Sequence, residues 1–274
     1  MRLATPAPTL RTGLSADHGE AVLSLTPPDG SAGSGGAHAQ PRRRAPLLKS
    51  LGPGGTVALV WLLVLLGAAW IGPEVWTADP NRTQLARKFA APSLDAPLGR
   101  DELGRDMLAR LLHGGRRSLP AAVVVVLGTS GIGLLIGSLA GMCGGRTDAA
   151  LCRLIDGLLA LPSLVVALAI VGVLGKAFPN LLLALVLAGW PWYARAYRGL
   201  VVGERERTYI VAARSTGANT GRLIRRHILP DIVGPALVLV TANLGNAMLS
   251  LTALSFLGLG VQPPHAEWGA MIDD

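Results

Sequence analysis

Between residues 51 and 73 the chain carries no charged side chain, and the same condition recurs over 119–142, 157–175, 177–194 and 232–257. A helix of about 20 apolar residues matches the thickness of a bilayer's hydrocarbon core. It also satisfies its own backbone there, which few other structures can do. The runs therefore restrict the chain to an all-α integral membrane protein, a polytopic helical bundle with five candidate spans. Half of all residues are hydrophobic and only 15% are charged, lower in charge than a soluble domain of this size. The run at 177–194 is a little short but extendable. The uncharged stretch that begins at 232 continues to His265, too long for one straight helix. Gly258, Gly260, Pro263 and Pro264 are expected to break it. Pro162 and Trp190-Pro191-Trp192 are expected to kink their helices.

Basic residues near the runs give an orientation. Residues 195–226 hold eight Arg against Glu204 and Glu206, which predicts a cytoplasmic loop. Counting back places 146–156 in the cytoplasm too, along with the N-terminal Arg42, Arg43, Arg44 and Lys49. The segment 74–118 then lies outside, despite eight basic and six acidic residues over 74–117. Long loops obey the rule weakly. Residues 1–50 are rich in Pro, Gly, Ser and Ala, with a low-complexity stretch from Gly30 to Gly36, and are expected to be disordered and cytoplasmic. The first apolar run starts too late for a cleaved signal peptide. The organisation is thus 1–50, a first transmembrane helix at 51–73, an extracytoplasmic segment at 74–118 and a core at 119–274.

Within the outer segment Met107, Leu108, Leu111 and Leu112 recur at helical spacing, punctuated by Arg105, Arg110, Arg116 and Arg117. Two readings fit: an amphipathic helix on the membrane surface leading into the second run, or a helix packed on the protein's own loops. Asp156 and Arg153 stand three apart at a membrane edge and are expected to pair. Cys143 and Cys152 flank a short cytoplasmic loop and read as small apolar fillers. The five histidines are scattered, so no metal site is expected. There is no phosphate-binding Gly-x-x-x-x-Gly-Lys-Ser/Thr loop, no catalytic set and no nucleic-acid-binding face. No cofactor is implied.

The most informative polar stretch is 209–230. Ala212 and Ala213 are small, good helix formers that let a partner surface approach. Gly217 suits a helix C-terminus, and Asn219 or Thr220 can cap a second helical piece through Leu223, Ile224 and Ile228. Pro230 is expected to mark the start of the fifth span. Ala212, Ala213, Gly217, Leu229 and Pro230 together resemble the Glu-Ala-Ala coupling loop of permease subunits in ATP-binding cassette (ABC) importers. Val211 stands where that family usually has Glu, and His227 where it usually has Ile. The His-Ile-Leu-Pro ending is similar to the dipeptide/oligopeptide/nickel branch. So are Pro97 through Asp106 with Gly114-Gly115-Arg116, and Leu254 through Pro264 with Trp268-Gly269.

The resemblance implies a transmembrane permease subunit, not itself an enzyme, in the cytoplasmic (inner) membrane. It implies three kinds of partner: a second homologous permease, ABC ATPase subunits and an extracytoplasmic solute-binding protein. The expected cargo is a di- or oligopeptide, with nickel or another small solute as the alternative. A non-ABC channel, a secondary transporter and a membrane scaffold are the rivals from other classes. The coupling segment is 195–230. Asn243, Asn246 and Ser250 share one helical face and are the candidate pathway residues. Helix-to-helix hydrogen bonding is the other reading of that stripe. Family members usually carry a sixth span after the Trp-Gly element, so the five-span chain is read as lacking its last helix, with its C-terminus outside.

Overall fold

The computed structural model describes residues 53–273. The N-terminal region 1–50, the first residues of the first run and Asp274 lie outside these. Among the described residues there are helices and no strand, with two isolated β-bridges at Ser93–Ala96 and Arg100–Asp106. The helices are α1 (Pro53–Val75), α2 (Met107–Cys143), α3 (Gly145–Leu159), α4 (Ser163–Leu174), α5 (Phe178–Arg205), α6 (Thr208–Ser215), α7 (Thr220–Leu259) and α8 (Ala270–Asp273).

All five apolar runs are helical, yet their boundaries move. Among the described residues α1, α2 and α7 are each long and apolar enough to cross a membrane, and α3 with α4 adds a fourth if that bent pair counts as one span. The 157–175 run is split: α3 ends before Leu161-Pro162 and α4 leaves at 85°. Pro162 has no amide hydrogen to continue the ladder, so the kink becomes a break. Pro191 acts differently, because α5 runs through it for 28 residues. The amphipathic stretch and the second run are one 37-residue helix, α2. Asp106 caps it, accepting from the amides of Leu108 at 2.8 Å and Ala109 at 3.1 Å. The second of the two readings, a helix packed on the protein's own loops, describes its buried face. Arg110, Gly114 and Gly115 are buried under the protein's own loops.

The tightest packing is between α2 and α5. A Cβ on Gly133 would stand 2.4 Å from Tyr193 Cβ, and one on Gly137 2.4 Å from the Ala194 carbonyl oxygen. Gly141 repeats the pattern against Val201 at 2.7 Å. Three glycines at four-residue spacing let two backbones meet where larger side chains would hold them apart. Around this seam Ala121, Val125, Ala167, Val171, Leu181 and Leu251 join α2, α4, α5 and α7 in one apolar cluster. Helix α1 lies apart from it. Val57, Trp61 and Ile71 are each about 60% exposed, which suits a lipid surround and not water.

Candidate functional site: a capped helix joint and a polar cleft

Helix α6 is short, and it is anchored by one residue. Ile210 is fully buried with Met142, Val201, Leu223, Ile228 and Ile232, while Ala213, Ala218 and Leu229 pack partly against them. The Ala212-Ala213 pair therefore divides: Ala212 is exposed, and Ala213 turns toward the protein's own interior. Of the two alanines Ala212, exposed beside Val211 and Arg214, is the one that leaves room for a partner. Gly217 closes the helix at φ +87°. Its amide donates to the Arg214 carbonyl at 3.0 Å, and the amide of Ala218 donates to that of Ala213 at 3.2 Å. This pair of bonds is the Schellman arrangement. Asn219 then caps the next helix by accepting from the amide of Arg222 at 2.8 Å.

Pro230 is exposed and stands in the first turn of the α-helical stretch Leu229–Leu254, where the sequence predicts it, although that stretch is continuous with the turns that begin α7 at Thr220. Pro230 cannot donate an amide hydrogen, and the turn before it, Ile224–Ile228, widens to π geometry with the Leu229 amide reaching the Ile224 carbonyl. Tyr209 ties α6 to this region. Its hydroxyl donates to the Asp231 carboxylate and lies 3.4 Å from Glu204 Oε2. The bond to Asp231 pushes the phenol up to about 12, so Tyr209 stays a donor at neutral pH.

Charges at the base pair across helices. Arg198 holds Asp148 through two bonds, of 2.6 and 2.7 Å. Asp156 pairs with Arg195 of α5, and not with Arg153 of its own helix. Sequence spacing could not show a partner 39 residues away. The filler reading of the cysteines also fails: Cys143 is exposed, and the Cys152 thiol donates to Asp148.

Asn243, Asn246 and Ser250 come together with Thr129 of α2, Ser163 of α4, and Trp192 and Tyr193 of α5 around a cleft of about 170 Å³. Asn246 donates to Asn243 Oδ1 at 3.2 Å, and Asn243 donates to the Leu239 carbonyl at 2.9 Å. Both bonds stay within α7. The described residues show no hydrogen bond from either amide to a neighbouring helix.

Sequence reasoning missed a third constellation, in which 97–106 and 264–270 are both held by the first turns of α2. Asp101 accepts from the amides of Leu103 and Arg105 at 3.0 and 2.8 Å and from Arg105 Nε at 2.5 Å. Arg110 Nε lies 3.5 Å from the same carboxylate. Glu267 is fully buried, accepting from Ser118 Oγ at 2.9 Å and the Ala270 amide at 3.0 Å. The Trp268 indole donates to the Leu111 carbonyl at 2.8 Å and packs on Gly114 and Gly115. Two stretches that the resemblance picked out separately form one knot.

Comparison with known proteins matches residues 133–274 to the family described as binding-protein-dependent transport system inner membrane component. The chain is 38% identical over 216 residues to the probable D,D-dipeptide transport system permease protein DdpC of Escherichia coli K12, covering 79% of this chain and 71% of that one. It is 38% identical over 218 residues to the nickel transport system permease protein NikC of the same strain, covering 80% and 77%. It is 40% identical over 220 residues to the di/tripeptide transport system permease protein DppC of Pseudomonas aeruginosa UCBPP-PA14, covering 78% and 73%.

Proposed function

Because the chain belongs to the family of inner membrane components of binding-protein-dependent transport systems, a multi-pass permease family, we propose that it moves di- or oligopeptides inward across the cytoplasmic membrane, driven by separate ATPase subunits. A second, homologous permease and an extracytoplasmic binding protein complete the assembly. Relatives named for dipeptide and for di/tripeptide transport support the peptide reading. The relative named for nickel keeps nickel as the second reading.

The observation that carries the coupling role is the build of α6. It is pinned from beneath by Ile210, closed by Gly217 and offered outward at Ala212. A short, rigid, small-residue tip suits a groove on an ATPase. Leu229 and Pro230 stand on the far side of the joint, in the first turn of the long α-helical stretch of α7. Ala212→Arg should separate ATP hydrolysis from uptake in proteoliposomes while leaving membrane insertion intact. Unchanged uptake and unchanged ATPase association would reject the role. Ala213 is a poorer probe, because a large residue there disturbs the fold itself.

The proposed topology puts 195–226 in the cytoplasm and 74–117 outside. With Cys143 and Cys152 removed, a cysteine at Ser93 should label with an impermeant thiol reagent in intact cells whose outer barrier is opened. One at Thr220 should not. The opposite pattern inverts the topology.

A further inference from the structure

We infer that a groove bounded by α1, α2 and α7 is a binding site for one phospholipid, with an acyl chain in the groove and the phosphate on Arg116. The site is independent of which solute the protein carries. The groove encloses about 650 Å³. Leu62 and Trp70 line it from α1, Val124 from α2, and Leu244 and Met248 from α7. A Cβ on Gly245, also in the lining, would meet nothing within 4 Å, so the space there is open. Arg116 is the one charged side chain among the described residues of the lining.

Depth and charge together choose the occupant. The lining runs from Trp70 to Leu62 along α1 and from Arg116 to Val124 along α2, about 12 Å of helix in each case at about 1.5 Å per residue. One leaflet of a hydrocarbon core is about 15 Å deep. A transmembrane helix of another subunit would need a seat about twice as long. The charge stands at one end only, where α1 and α2 close on each other. There a Cβ on Gly72 would lie 2.6 Å from Leu112, and one on Gly115 3.3 Å from the Ala69 Cβ. Arg116 lies over the Trp70 ring at 5.7 Å from its centre. Tryptophan favours the level of lipid headgroups, and a guanidinium can bind two phosphate oxygens at once. Arg116 pairs with Glu74 at 3.1 Å, but the two side chains are 45% and 72% exposed. So open an ion pair holds little, and a phosphate can share or take over the guanidinium. An apolar slot one leaflet deep with a single cation at its mouth has the form of a phospholipid chain beneath its headgroup.

The test uses the complete transporter complex in mild detergent, titrated with phosphatidylglycerol and read by native mass spectrometry. The wild-type complex should retain one phosphatidylglycerol more tightly than the rest. Gly245→Phe should remove that one, because its ring fills the open space in the groove. Arg116→Ala should raise the half-saturating concentration about tenfold, the loss of one charge-assisted hydrogen bond. Glu74→Gln should leave it unchanged or lower it, since a competing carboxylate is gone. If Arg116 serves only to fasten α1 through Glu74, both variants weaken binding alike, and that result overturns the phosphate assignment. So does an Arg116→Ala complex that binds as wild type does. Equal retention by wild type and Gly245→Phe overturns the site. In a background lacking Cys143 and Cys152, cross-linking of Val124→Cys to a partner subunit overturns the lipid as occupant.

Discussion

Two regions of this molecule are rich in arginine, and they use it in opposite ways. In the knot Asp101, Arg105, Arg110 and Glu267 are nearly or wholly buried, and each of the two carboxylates accepts at least two hydrogen bonds. Around α5 and its neighbours the charges are more open: Arg195 and Asp156 of α3 are both more than half exposed, and Arg207 is exposed although its partner Glu204 is only 15% exposed. Buried ions hold a shape because separating them strands a charge in a poor solvent. Exposed ions hold little, and they leave a surface that another protein can meet. The first region is built to stay as it is, and the second, on the coupling role proposed above, to be engaged and released.

The sharpest way to break this contrast is at Asp101. Asp101→Ala leaves two buried guanidinium groups without their shared carboxylate, a loss of about 3–5 kcal/mol. It should appear as a collapse in the yield of monodisperse protein in detergent. A thermally normal variant would place the knot with the weak surface pairs. A smaller effect is expected at Asp106, which caps α2 and accepts from the Trp76 indole at 3.0 Å. Asp106→Ala should cost about 1–2 kcal/mol and lower the melting temperature measurably.

Crossing to the joint, Gly217→Ala forces a side chain into the left-handed region at a cost of about 1 kcal/mol. Its mark should be a change in ATP hydrolysed per solute moved, with the melting temperature nearly unaltered. If stability falls as far as for Asp101, the joint is as structural as the knot. Smallest of all, Arg195→Ala should change stability by about 0–1 kcal/mol, because both partners are more than half exposed. Thermal unfolding with and without added salt reads this directly.

What the sequence displayed was local chemistry. Five uncharged runs announced the helices, Pro162 announced the break, and Gly217 with Asn219 announced the joint, because each acts on its own neighbours. What stayed hidden was long-range. Arg110 and Arg117 look like interfacial punctuation until they are seen reaching the carbonyls of Pro264 and Ala266, some 150 positions away. Glu267 looks like an ordinary surface acid until Ser118 is placed beside it. The cleft was half legible: helical spacing put Asn243, Asn246 and Ser250 on one face, while its other wall depends on how α4 turns at Pro162. Ala213 misled for the same reason, since one turn of helix decides which alanine faces in.

Helix α7 also has a mechanical meaning. From Thr220 to Leu254, before the π turn and the kink at Gly258, 35 residues at about 1.5 Å each make a rod of about 50 Å, well over the depth of a hydrocarbon core. Its near end starts at the Asn219 cap, and its far end seats Thr252 and Ser255 against the backbone of Gly269, beside the knot. A tilt of only about 5° about the middle would carry each tip by roughly 2 Å. Such a rod is a lever. On the coupling role proposed above, a push too slight to reshape α6 would arrive at the opposite end as a displacement the size of an atom.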